Sequence, residues 1–247
     1  MENSTLVALS GQIALRRKLD VIANNVANIN TDGFKKVSVD FEETTMPKAS
    51  GTMFPANYRA NSYVRELGTV NDFSAGNIEM TGRELDVALN DDQAFFTVQT
   101  PNGERYTRAG NFQLDVNGRL ITPDGNPVLG QGGEIIFAGS ETNITISADG
   151  AVSSSAGSKG KLKLAEFNDP SVLSKVGINL YDSSLPPTVP TFPGIAQGAI
   201  ERSNVSGVRE MTNMIEVQRA YEQIASLMKQ QNELKSKAVD RLGTVTA

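Results

Sequence analysis

The side chains best suited to chemistry are carboxylates: Glu79, Glu84, Asp86, Asp91 and Asp92 lie close together along the chain. They could supply the acid and base of a hydrolytic pair. Closeness in sequence does not set the separation such pairs need, so a solvated acidic edge around turns is the simpler expectation. Histidine, cysteine and tryptophan are absent, which excludes an imidazole base, a thiolate nucleophile and the usual zinc sites. Asp115-Val116-Asn117-Gly118 opens like a calcium loop but lacks the later ligands and the closing glutamate. Gly130-Gln131-Gly132-Gly133 has phosphate-loop glycines without the lysine or helix start that should follow. These patterns point away from an enzyme, and no catalytic, cofactor-binding or metal-binding residue is assigned.

Charge and composition narrow the remaining classes. A net charge of −5 argues against a nucleic-acid partner. The local basic runs Arg16-Arg17-Lys18 and Lys35-Lys36 read as solvated faces. No apolar stretch reaches the roughly eighteen residues a membrane-spanning helix needs. The N-terminus does not read as a cleaved secretory signal, because Arg16, Arg17, Lys18 and Asp20 interrupt the stretch from Leu6 to Ile29. With 39% hydrophobic and 6% aromatic residues, a modest core flanked by long amphipathic segments is expected.

Two such segments stand at the ends. From about Asn3 to Asn28, Leu15, Leu19, Ile22, Val26 and Ile29 recur at alternating steps of four and three, the seam of a coiled coil. Leu6, Leu9 and Ile13 should continue this apolar face, slightly rotated. Thr31-Asp32-Gly33 should end the helix. From Val208 to Leu242 a second helix places Val217, Ala220, Ile224, Leu227, Leu234 and Ala238 on one seam, with Gln231 as its polar interruption and Tyr221, Met228 and Leu242 widening the stripe. Ser203, Asn204 and Ser206 offer caps for its start. One antiparallel pair would be marginal alone, so the ends are expected to order on assembly.

The middle reads as strands. Asn102-Gly103, Asn117-Gly118, Asp124-Gly125 and Asp149-Gly150 punctuate short apolar runs such as Ala94 to Thr100 and Lys161 to Phe167. The fold class is therefore α+β: long N- and C-terminal helices pairing as a coiled-coil-like bundle around a β-rich central domain. Four regions are expected: an N-terminal helix over 1–34, an extended linker with room for a hairpin over 35–75, the β-rich domain over 76–195, and a C-terminal helix over 196–247. Pro186, Pro187, Pro190 and Pro193 mark the return from the domain.

The first helix ends in Asn24-Asn25-Val26-Ala27-Asn28-Ile29-Asn30-Thr31-Asp32-Gly33-Phe34-Lys35. Amides are costly within a helix; they either cap the helix end or hydrogen-bond neighbouring subunits at a buried contact, where they fix register. This run resembles the N-terminal signature of the flagellar basal-body rod, hook and hook-associated proteins. Thr81, Gly82, Leu85 and Asp86 resemble the family's entry into its β domain, continued by Tyr106, Thr107, Arg108, Gly110 and Asn111, then Gly118, Leu120, Thr122 and Gly125. The run Gln197 to Val205, with Ser203 and Asn204, looks like the family's C-terminal start.

The resemblance implies a structural rod subunit, most like the proximal-rod members, with distal-rod members as the alternative. It implies partners among other rod proteins, copies of the chain itself and the flagellar export apparatus. It also implies location in the basal body, torque transmission from motor to hook, and no cofactor or small-molecule substrate. Its contacts would involve Asn24, Asn25, Asn28, Thr31, Gly33, Phe34 and the apolar seams. A β-domain adhesin or glycan-binding protein is the rival of another class, but it leaves both amphipathic ends without a purpose.

Overall fold

The computed structural model describes residues 2–45 and 62–244. The chain divides into two compact units. The first comprises Met1–Val26, Val37–Val70 and Gly207–Ala247; the second comprises Ala27–Lys36 and Asn71–Ser206.

In the first unit, helix α1 (Glu2–Ala27) and helix α2 (Gly207–Thr244) accompany a two-stranded sheet of β1 (Val37–Thr45) and β2 (Ser62–Asn71). Contacts between the helices run in opposite chain directions. Lys235 Nζ donates to Thr5 Oγ1 at 3.2 Å, and Asn25 Nδ2 donates to Glu210 Oε2 at 3.3 Å. Between them, a side chain at Gly11 would begin 3.6 Å from Ile224 Cδ1. The hairpin is tied to α1 by Arg17 Nε to Glu66 Oε1 at 2.9 Å. The part of the expected linker over 46–61 lies outside the described residues.

The helix faces differ from the expected seams in two ways. On α2 the less exposed line runs through Glu210, Met214, Val217, Tyr221, Ile224, Met228, Gln231 and Lys235, whereas Leu227 and Leu234 are 59% and 66% exposed and Ala238 is also exposed. The spacing from Val217 is four then three, not three then four. Both choices satisfy a heptad, and the long side chains of Tyr221 and Met228 take the covered positions. On α1, Val21 and Ile22 are buried and Leu15 and Leu19 half-buried. Leu6, Leu9 and Ile13 do not continue that face; at 100° per residue they fall roughly opposite Ile22 and are exposed.

The second unit is built on a five-stranded antiparallel sheet. Strand β5 (Ala94–Thr100) lies between Leu164–Glu166 and β6 (Gly103–Thr107), followed by Tyr181–Ser183 and the edge strand Leu173–Lys175. Ahead of it come β3 (Ile78–Met80) and β4 (Val87–Leu89). Residues Ala94 to Val98 are all buried because both faces of β5 are covered. Phe96 and Val98 face an aliphatic core with Phe112, Leu120, Phe137 and Leu162. Phe95 faces an aromatic cluster with Phe73, Tyr106, Phe167 and Tyr181, where the rings meet edge to face at 4.9–6.0 Å. The period of two thus holds with apolar residues on both sides.

The region assigned to the C-terminal helix, 196–247, opens with two strands, and the helix itself starts close to the expected Val208. Ile195–Gln197 pairs with β4 and Ala199–Glu201 pairs with β3. Gly198 turns between them at φ 74°, and buried Ala199, Ile200 and Glu201 anchor the second strand. Helix starts only at Gly207.

Gly33 closes the turn after α1 at φ 67°, and an added Cβ would lie 2.3 Å from the Ala109 nitrogen. Gly125 has a similar φ of 83° with nothing within 4 Å. Gly125→Ala is expected to cost about 1–2 kcal/mol from backbone conformation alone. Gly33→Ala should cost about 1–3 kcal/mol more, since backbone must move to admit it. Urea unfolding of the two variants side by side checks this; equal losses would contradict it.

Candidate functional site

The asparagine-rich end of α1 separates into distinct roles. Asn25 is buried and clasps the start of β1: its Oδ1 accepts from Val37 N at 3.0 Å and its Nδ2 donates to Val37 O at 2.8 Å. The same Nδ2 reaches Glu210 on α2, so one amide joins three pieces of the first unit. Asn24 is exposed, while Asn28 Oδ1 accepts from Thr31 Oγ1 at 3.1 Å and shapes the turn. Asn28 thus shapes the helix end, as a capping amide would, whereas Asn25 makes its buried contact within the chain.

In the second unit, the motif residues converge on a buried charge cluster. Glu201 Oε1 accepts from Lys35 Nζ at 2.7 Å and from Gly76 N at 2.8 Å. Its Oε2 accepts from Arg108 Nε at 2.9 Å. All three side chains are almost wholly buried. Arg108 also donates to the carbonyls of Asp91 and Ala94, and Lys35 to that of Ser74 at 2.6 Å. Burial alone would raise the Glu201 carboxyl, but Arg108 and Lys35 hold it below the usual range. Burial pushes the Lys35 ammonium down, with Arg108 adding to the effect and Glu201 opposing it.

A second layer surrounds this cluster. Asn204 does not cap α2; its Oδ1 accepts from Lys36 N at 2.7 Å and its Nδ2 donates to Asp72 O at 2.8 Å. Ser203 Oγ accepts locally from Val205 N at 3.3 Å. Thr81 Oγ1 donates to buried Asp86 at 2.6 Å, and Thr81 N and Gly82 N both donate to Gly198 O. Leu85 packs on the aliphatic core and Tyr106 in the aromatic cluster. Thr107 Oγ1 accepts from Ala109 N at 3.1 Å. Gly110 admits no side chain, since a Cβ would meet Val87 O. Asn111 donates to Asp32 Oδ2 at 3.1 Å, and Arg202 bonds Asp32 at 2.7 Å and Glu79 at 2.6 Å. Phe34 is fully buried beneath Lys175, whose Nζ lies 3.9 Å from the ring centre.

Sequence reading missed Lys35, Glu201 and Glu210 as buried groups. The available signal was the placing of Lys35 next to Phe34 and of Glu201 after Ala199-Ile200. Three of the five clustered carboxylates are engaged in structural contacts: Asp86 is held by Thr81, Glu79 by Arg202, and Glu84 Oε2 accepts from Ile144 N at 3.2 Å. Among the described residues no group of three metal-binding side chains occurs. The arrangement fastens distant chain segments together.

Glu201→Gln should cost about 3–5 kcal/mol, because two buried cations lose their counter-charge. A carboxyl held low stabilises the fold above its unfolded value and loses that contribution as pH falls through its folded value. The variant should therefore show a shallower acid dependence of stability below about pH 4.3 than the parent. Lys175 gives a slope of the same sign in a higher window, but there the charged form is the one the fold disfavours. Burial lowers its ammonium to about 8, so between 8 and the unfolded value of 10.5 the unfolded chain binds the extra proton and stability rises with pH. Lys175→Met should raise stability at neutral pH and abolish that rise in a pH series of denaturation curves.

Comparison with known proteins accounts for the same segments. The description "Flagella basal body rod protein" matches residues 6–35, "Flagellar hook protein FlgE/F/G D1 domain" matches 91–154, and "Flagellar basal body rod FlgEFG protein C-terminal" matches 196–241. The flagellar basal-body rod protein FlgF of Caulobacter vibrioides is 40% identical over 250 residues, covering 99% of this chain and all of the relative. FlgF of Mesorhizobium japonicum is 37% identical over 99% of both chains. FlgG of Bacillus subtilis is 33% identical over 97% of this chain and 99% of the relative. With end-to-end likeness of this kind, and with the matched segments meeting at one buried cluster, the chain belongs to the flagellar basal-body rod protein family and is a structural subunit of that rod.

Proposed function

We propose that this subunit lies in the proximal rod and packs through the outer faces of α1 and α2 against copies of itself and other rod proteins. The carrying observation is the uncovered apolar surface of the first unit: Leu6, Leu9 and Ile13 on α1, and Leu227, Leu234 and Val239 on α2. Apolar side chains left in water on both helices favour burial against further helices. Repeating such a contact without closure builds an open helical array able to carry torque. Export through the flagellum's own apparatus and the absence of catalysis belong to the same reading. The proximal position is supported by the FlgF relatives, which align over 98–100% of both chains. The distal rod is the second reading, favoured by the full-length alignment with Bacillus FlgG.

The chain contains no cysteine, so single cysteines report contacts cleanly. Two populations, Leu227→Cys and Ile13→Cys, expressed together in a flagellated cell should cross-link between copies with a short bis-maleimide. Leu234→Asp with Val239→Asp should abolish both the Leu227→Cys cross-link and motility while the second unit keeps its folded stability. Normal motility in the double aspartate variant would overturn the reading.

A further inference from the structure

The chain carries three triplets of asparagine, any residue but proline, then serine or threonine: Asn3-Ser4-Thr5, Asn143-Ile144-Thr145 and Asn204-Val205-Ser206. This is the acceptor pattern for sugar attached through an asparagine amide, and it works only where the amide and the hydroxyl two residues on can be reached. The structure separates the three. Asn204 has spent its amide, since Nδ2 donates to Asp72 O at 2.8 Å and Oδ1 accepts from Lys36 N at 2.7 Å. Asn3 lies within α1, where positions two apart turn about 200° from one another. Asn143 meets neither obstacle. We propose that Asn143 is an acceptor site for N-linked glycosylation, taking a sugar delivered as a diphosphate ester.

The local backbone presents the triplet. Asn143 has a φ of 55°, the one positive value outside glycine among the described residues, in a region that asparagine tolerates better than most residues. Asn143 and Thr145 are exposed, while Ile144 between them is buried. Ile144 N donates to Glu84 Oε2 at 3.2 Å, and its carbonyl accepts from Gln197 Nε2 at 2.7 Å. The middle residue is thus anchored and its two neighbours are left to solvent. Neither the Asn143 amide nor the Thr145 hydroxyl has a hydrogen-bond partner among the described residues. The surface beside them opens into a depression of about 410 Å³ bordered by Gly82, Arg83 and Gln197, so a sugar on Nδ2 meets no wall.

The step is a substitution at the anomeric carbon of the sugar. A bond forms between that carbon and Asn143 Nδ2, and the carbon–oxygen bond to the diphosphate breaks. The carrier leaves as its diphosphate and one amide proton is released. A glycosyltransferase of the cell supplies the catalysis; this chain supplies the acceptor.

Trypsin releases the site within one peptide, Leu120–Lys159, whose mass reads the outcome. The full-length chain, recovered separately from the cytoplasm and the basal bodies of its own flagellated cell, should yield this peptide heavier by one or more sugar residues. Asn143→Asp keeps a residue that tolerates the bend but lacks the amide nitrogen, and it should lose the added mass. Thr145→Ala should lose it too, whereas Thr145→Ser should keep it. Added mass already present in the cytoplasm assigns a nucleotide-linked donor; added mass confined to basal bodies assigns a lipid-linked one. The bare peptide in both fractions overturns the site, as does added mass that survives in Asn143→Asp. Neither result bears on the packing of α1 and α2, which the helix-face cysteines test by themselves.

Discussion

A single carboxylate, Glu201, governs the second unit. It sits out of water between Arg108 and Lys35, with Gly76 N as a further donor. Each cation then spends its remaining hydrogens on main-chain carbonyls, at Asp91 and Ala94 from one side and at Ser74 from the other. Removing two charges from water is costly unless every donor and acceptor is met. That demand fixes how the turn after α1, the entry to the sheet and the strand before α2 lie together within this unit. The family motifs are spread along the chain because they are the ends of this one arrangement.

The first unit follows another logic. Its helices bury little of their own surface: among the described residues only Val21, Ile22 and Val217 are fully buried apolar side chains on them. Polar contacts at Asn25, Glu210, Thr5 and Lys235 set which parts of the helices are neighbours. Weakly buried helices with specified register suit a subunit whose remaining surface is completed by others.

Much of this was legible in the sequence. The two helices came from their periodicity, the first with its stop at Thr31-Asp32-Gly33, and β5 came from its apolar run between turn residues. The side of α2 that is covered was not legible, because Leu227 and Met228 both fit a heptad and only three-dimensional packing chooses between them. The strands at 195–201 were hidden because short runs between glycines carry too little period to outweigh a long neighbouring helix. Glu201 was unreadable for a different reason. A lone acid in an apolar strand declares no partner, and its two cations are distant in sequence.

The clasp at Asn25 also sets an order of events. It ties the start of the chain to β1 and to Glu210, and the first unit is assembled from the beginning, an early inner stretch and the final stretch of the polypeptide. Whichever end is delivered first, this unit cannot close until the other has arrived. The second unit, drawn from Ala27–Lys36 and Asn71–Ser206, needs neither end of the chain to close.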